Sequence, residues 1–185
     1  MRRVFLPVLG LGLALGSALG RAQIERLTLE QMILKTDDVV FAEILAKEVI
    51  RIDHPVDGPE LYFTNLTLRG ASLRTGQATT VTVTFPGGFM NDTDGVWNSE
   101  APSDDDVQVG NRVVAFEKYL DNAGGGLACH FLYASHGGLY RTAEGPSGTF
   151  VLGRGDGYAV DHNVRLEELE EAVLTIAEKI QKEEL

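Results

Sequence analysis

The spacing of apolar and polar positions along the chain alternates between two periods. "TLEQMILKTDD" has Thr28 three residues before Gln31, the spacing of a capping box, with Leu29, Met32 and Ile33 on one face. A short helix is predicted there, stopped by Asp37-Asp38. "VVFAEILAKEVIRI" (39–52) is rich in β-branched and aromatic residues and reads as a long strand. After the breakers Pro55, Gly58 and Pro59, "LYFTNLTLRGASLR" (61–74) alternates as a second strand. "ATTVTVTF" (78–85) is the clearest strand, with Val81, Val83 and Phe85 on one face and threonines on the other. Residues 86–110 break the pattern with "PGG", "NDTDG" and "PSDDD" and read as a long irregular loop. Strands follow at 112–120 and 127–135, then near 139–143 and 149–152, and a last one at "YAV" after the "GRGDG" turn. From 164 to 182 the period becomes helical: Leu166, Leu169, Val173, Ile176 and Ile180 form a stripe, with Asn163 as the expected cap. Many short strands with closely spaced turns predict a mainly β (α+β) domain. The expected architecture is a small antiparallel OB-like barrel with a short N-terminal helix and a C-terminal amphipathic helix.

The first residues change where that domain is expected to work. Arg2-Arg3 is followed by an uncharged run to Leu19, with glycine at 10, 12, 16 and 20 and small residues before Arg21 and after it. A charged head, an apolar middle and small residues at the end describe an export signal. The run is also short of the ~20 apolar residues that a membrane-spanning helix needs. Residues 1–22 are expected to be removed, with cleavage after Gly20 or Ala22, which leaves one soluble secreted or periplasmic domain over 23–185 and no stable membrane anchor. "RRVFL" resembles a twin-arginine signal.

Charge narrows the partners. Against 16 basic residues stand 27 acidic ones, a net −11, and loss of Arg2, Arg3 and Arg21 makes the balance more negative. Nucleic acid and anionic membrane surfaces are repelled by such a chain. One cysteine forms no internal disulfide, so an exported domain would rest on its core alone.

The order of "TDDVVFAEI", "LYFTNLTL", "LRTGQATTVTVTFPGG", "VQVGNRVVAFEKYL" and "ASHGGLYR", over residues 28–152, resembles a group of small exported bacterial domains. They are similar to the netrin-like barrel shared with the tissue inhibitors of metalloproteinases. The resemblance implies a fold and an export route rather than a reaction. The inhibitors chelate zinc through an amino-terminal cysteine, which this chain lacks near Arg21 or Gln23.

Candidate chemistry is sparse. Strand alternation places Cys129 with Leu127, Phe131 and Tyr133, opposite His130, so Cys129 is expected in the core and away from any base. No G-x-S-x-G, P-loop or H-E-x-x-H is present. "NDTDG" misses the calcium-loop pattern, with Met90 and Ala101 at ligand positions one and twelve. Asp104-Asp105-Asp106 reads as a solvated run, and Arg154-Gly155-Asp156 as a turn. If strands simply alternate up and down, His54, His136, Asp53, Asp57 and Asp156 share a rim with the 86–110 loop, and the 124–126 turn lies at the opposite end. No cofactor, metal or catalytic group is expected. The residues that stand out are Phe89, Met90 and Trp97, the only tryptophan, set among acidic and small residues in a loop longer than compact domains usually carry. With His54 and His136 they are the candidate partner-binding residues for an unknown protein or envelope component. Two other readings are a metal-dependent or hydrolytic enzyme built on the His/Asp rim, and a structural envelope protein. Trp97 plugging the barrel's end is the plainer account of that residue.

Overall fold

The computed structural model describes residues 26–183. The export segment and its cleavage points lie outside the described residues. Helix α1 spans Leu29–Lys35, and its capping box is formed: the Thr28 hydroxyl accepts from the Gln31 N–H and the Gln31 side chain accepts from the Thr28 N–H. Ten strands follow: β1 Asp38–His54, β2 Gly58–Ser72, β3 Ala78–Pro86, β4 Gly88–Asn91, β5 Asp94–Val96, β6 Arg112–Leu120, β7 Cys129–Leu132, β8 Leu139–Gly145, β9 Gly148–Val151 and β10 Val164–Arg165. Helix α2, Leu166–Glu183, closes the order.

Strands β1, β2, β3, β7 and β6 close on themselves, because β6 pairs with β1 as well as with β7. All neighbours are antiparallel except β3 and β7, where Val83 faces His130 and Thr84 faces Phe131 in parallel register. The result is a closed five-stranded barrel of OB-like form. Closure leaves the barrel proper no open edge. Beyond it, β8, β9 and β10 continue from the other half of β6.

Two cores share one wall. Val40, Ala42 and Ile44 of β1, Leu66 and Leu68 of β2, Val83 and Phe85 of β3, and Val113 and Ala115 of β6 fill the barrel. The alternate residues Val39, Val114 and Phe116 point outward and meet Met32 and Ile33 of α1 and Leu169 and Val173 of α2. This explains why "VVF" and "VVAF" are continuously apolar: β1 and β6 are covered on both faces. Ile180, the stripe's last member, lies outside the described side chains.

Several expectations are corrected. Asn163 does not cap α2; its side chain accepts from Gly153 N at 3.0 Å, and Val164–Arg165 form β10 where the helix was expected to start. "YAV" is no strand, although Val160 is buried. The strand expected over 127–135 shrinks to Cys129–Leu132, because Ala134 and Ser135 take left-handed backbone angles (φ 54° and 52°) that lead into a short 3-10 turn at Ser135–Gly138.

The faces of β7 are also reversed. Leu132, not Cys129, is the residue that fills the barrel, and His130 shares its side. Cys129 is half-buried on the outer face rather than in the core. The parallel pairing with β3 decides this, since it sets His130 beside the inward-facing Val83. Burial pushes the Cys129 thiol above its ordinary pKa, against a smaller opposing effect of Thr84. A raised pKa does not make a nucleophile.

Candidate functional site

The long β1–β2 hairpin overshoots the barrel, and its outer half carries the site. Where β3 ends at Pro86, two glycines turn the chain across that hairpin. A Cβ at Gly88 (φ 130°) would stand 2.4 Å from Thr64 Oγ1 and 2.9 Å from Val49 Cγ2, so only glycine lets the chain lie this close. The Thr64 hydroxyl donates to Gly87 O at 2.6 Å, and the Asn98 side-chain amide to Pro86 O at 2.9 Å. Tyr62 OH donates to Asp94, which also faces Arg51 at 3.7 Å.

The 86–110 segment is thus not irregular throughout. Its first part is the β4–β5 hairpin, stapled at its base. Its second part plugs the barrel mouth with Val107 and the packed Ala101. Trp97 is therefore not the plug: it stands 74% exposed and lines a cavity with Val96 and Phe89, while Phe89 and Met90 of β4 are each 51% exposed. An apolar cluster on a short, stapled hairpin has the composition of an interface anchor.

A cavity lies on each side of Trp97. One, of about 340 Å³, occupies the barrel mouth between Val49, Thr64, Phe85 and the loop residues Pro102 and Ser103. The other, of about 660 Å³, runs between Leu61, Tyr62, Phe63 and Pro86 on one side and Ala123–Gly124 on the other, with Asp57 and Glu60 at its edge. Gly125 N donates to Asp57 Oδ2 at 2.8 Å, so the 121–126 turn sits at this end and not at the opposite one. The parallel β3–β7 pairing is the cause, because it brings the chain back before β7 begins.

The two candidate histidines are not brought together. His54 closes its own turn, accepting from Asp57 N at 3.0 Å. His136 holds the far half of the long loop. Its Nδ1–H donates to Glu100 O at 2.8 Å, which leaves Nε2 to accept from Tyr158 OH at 3.0 Å. The ring of His136 thus ties Glu100 of the long loop to Tyr158 near the chain's end. The acidic rim is divided: Asp53 stays at the hairpin tip on Arg51, whereas Asp104 pairs with Lys47. Among the described residues no group of three His, Cys, Asp or Glu side chains could hold a metal ion.

Asp106 departs from the solvated run it was expected to belong to. It is 7% exposed and lies 2.9 Å from Arg154 Nη2 and 3.1 Å from Arg141 Nε. Burial alone would push its carboxyl up, but the hydrogen bonds from Arg154 and the Ser103 region outweigh it and hold the pKa below the ordinary value. Arg154 also donates to Leu139 O, so the Arg-Gly-Asp arginine is a structural tie between the loop and the barrel.

Sequence reasoning also missed Glu117, which is 4% exposed and bonded at 2.8 Å to His130 Nδ1. Burial, opposed by His130 and reinforced by Asp38 and Asp37, raises its pKa; Arg74 is the cation on this side. A raised carboxyl pKa means that the folded chain keeps a proton which the unfolded chain loses near pH 4.3. Stability contributed by this group is therefore present at acid pH and falls as pH rises through the folded value. Glu117→Gln removes that fall: denaturation midpoints measured from pH 4 to pH 8 will decline less for the variant than for the parent. Parallel curves would refute the assignment.

Compared with protein-family models, with curated proteins and with solved structures, the chain has no match.

Proposed function

We propose that this protein is an exported, non-catalytic binding module that holds a protein or an envelope component through the loop end of its barrel. The observation that carries the reading is Trp97: a large aromatic ring left in water on a stapled hairpin, with a cavity on each side. Folding offers no reason for that exposure, because Val107 and Ala101 already close the barrel. The acidic net charge opposes nucleic acid as the partner, and no helix among the described residues is long and apolar enough to cross a membrane. The order of short motifs over residues 28–152, which resembles that of small exported bacterial domains, is what supports the export route and a netrin-like form of the barrel.

Truncating a buried aromatic anchor typically costs 2 kcal/mol or more of binding, about 30-fold in affinity. The purified protein, immobilised and exposed to soluble and envelope extracts of its own cell, is expected to retain a stoichiometric partner. Trp97→Ala is expected to lose that partner at least tenfold while its unfolding free energy stays within about 0.5 kcal/mol of the parent, as for an exposed side chain. Equal capture by both proteins, or none by either from an intact extract, would remove the reading.

A further inference from the structure

The larger cavity narrows the chemistry of the partner. Resting on the binding function proposed above, we propose that this groove takes an extended, proline-containing peptide segment that carries an arginine or lysine at the hairpin-tip end.

Charge is the first argument. Around the hairpin tip, the carboxylates of Asp53, Glu60 and Asp94 gather about the single guanidinium of Arg51, at 3.1, 3.5 and 3.7 Å. Asp57 adds a fourth acidic group on the groove's edge, beside Glu60. Four carboxylates against one arginine leave an excess of negative charge that a cationic side chain would complement. Glu60 keeps 60% of its side chain exposed. It also holds a left-handed backbone angle, φ 62°, that glycine would take without cost. Glu60 lines the groove, and its carboxylate lies 3.5 Å from Arg51 at the groove's tip end.

The groove's walls supply the second argument. Leu61, Phe63, Pro86, Val96 and Trp97 give it apolar walls, and Trp97 is the aromatic ring that stands exposed in it, since Tyr62 and Phe63 are buried. An apolar groove flanked by an exposed indole suits the polyproline helix, whose backbone stays solvated and loses little freedom on docking. The competing mode is a strand added along β2. There, however, Tyr62 O already accepts from Gly87 N at 2.7 Å, so the groove-side ladder is interrupted where an added strand would need it. A ligand that brings no ladder of its own is favoured.

Trp97 is the only tryptophan and lines both cavities, so its fluorescence reports a ligand at this end, and the Glu60 variant assigns it to the larger groove. The full-length protein is titrated with a synthetic heptapeptide holding alternating prolines and one arginine. Three control peptides replace the arginine by glutamate, the prolines by serine, or the whole by a valine- and threonine-rich strand former. Saturable blue-shifted emission is expected with the first peptide, and at least tenfold weaker binding with each control. Glu60→Gln should weaken the arginine peptide about fivefold and leave the glutamate peptide unchanged. Equal affinity for the arginine and glutamate peptides, preference for the strand former, or no saturable change at millimolar peptide overturns the proposal. If those results accompany Trp97-dependent capture from extract, the binding module stands and only this ligand chemistry falls. If extract capture is also absent, the binding reading falls with it.

Discussion

Asp106→Ala is expected to destabilise the protein by about 3 kcal/mol, which for a chain of this length is a drop of roughly 6–12 °C in Tm. The substitution leaves two guanidinium groups without their carboxylate, and that of Arg154 is only 22% exposed. Removing one partner of a buried ion pair costs more than the pair itself contributes, since the remaining charge keeps its desolvation penalty. The effect carries a pH signature. The folded-state pKa of Asp106 lies below the ordinary carboxyl value, so its contribution is present above about pH 3.9, the unfolded value, and disappears as pH falls through the depressed one. Parent and variant should thus converge in strong acid and diverge to their full separation by pH 5. Thermal denaturation at pH 2.5 and pH 6 measures both. A midpoint at pH 6 within 2 °C of the parent would show that the Arg141–Asp106–Arg154 contact is not formed. Because Asp106 ties the end of the long loop to the turn carrying Arg154, the variant should also protect the Ser103–Val107 amides less from hydrogen exchange.

Gly70→Ala is the second large effect. Gly70 of β2 lies opposite Ala42 of β1, in the stretch where β1 pairs with β2 on one side and β6 on the other. A Cβ built there stands 1.9 Å from Phe41 O and 2.5 Å from Ala42 Cα. These are backbone atoms, which cannot swing aside as a side chain can. β1 is held by its two neighbouring strands, so relieving the clash means opening the barrel wall. Overpacking in a core usually costs 1–3 kcal/mol, and this case belongs at or above the upper end. Soluble yield and urea midpoint are the measurements: the variant should lose at least 3 kcal/mol or fail to fold. A well-folded variant with an unchanged midpoint would show that the two strands do not approach as described. Gly76→Ala, at a turn where a Cβ meets nothing within 4 Å but φ is 68°, serves as a milder control.

Much of the barrel was legible because its strands carry their own signal. "VVF" and "VVAF" are β-branched and apolar on consecutive positions, and the alternation of "ATTVTVTF" places Val83 and Phe85 inside, where they lie. Thr28 and Gln31 form their capping box because both partners lie within one turn of chain. The candidate residues of the long loop were legible for a similar reason. Phe89, Met90 and Trp97 stand out against acidic neighbours, and each is exposed.

What the sequence could not carry is pairing at a distance. The parallel β3–β7 contact brings the 121–126 turn to the hairpin tip, builds the larger groove and turns His130 rather than Cys129 toward the barrel. No local pattern in "LACHFLYAS" encodes that partner, and a single-residue change of register reverses which side chains face inward. Asp106 shows the same limit: flanked by two acidic residues it reads as solvated surface, and only Arg141 and Arg154, each more than thirty positions away, make it a buried tie. Local periodicity determined most of the barrel strands and the two helices, and composition singled out the aromatic and methionine residues of the long loop. Long-range strand pairing and charge pairing, whose energies depend on residues far apart in the chain, decided that Trp97 stays exposed and what surrounds it.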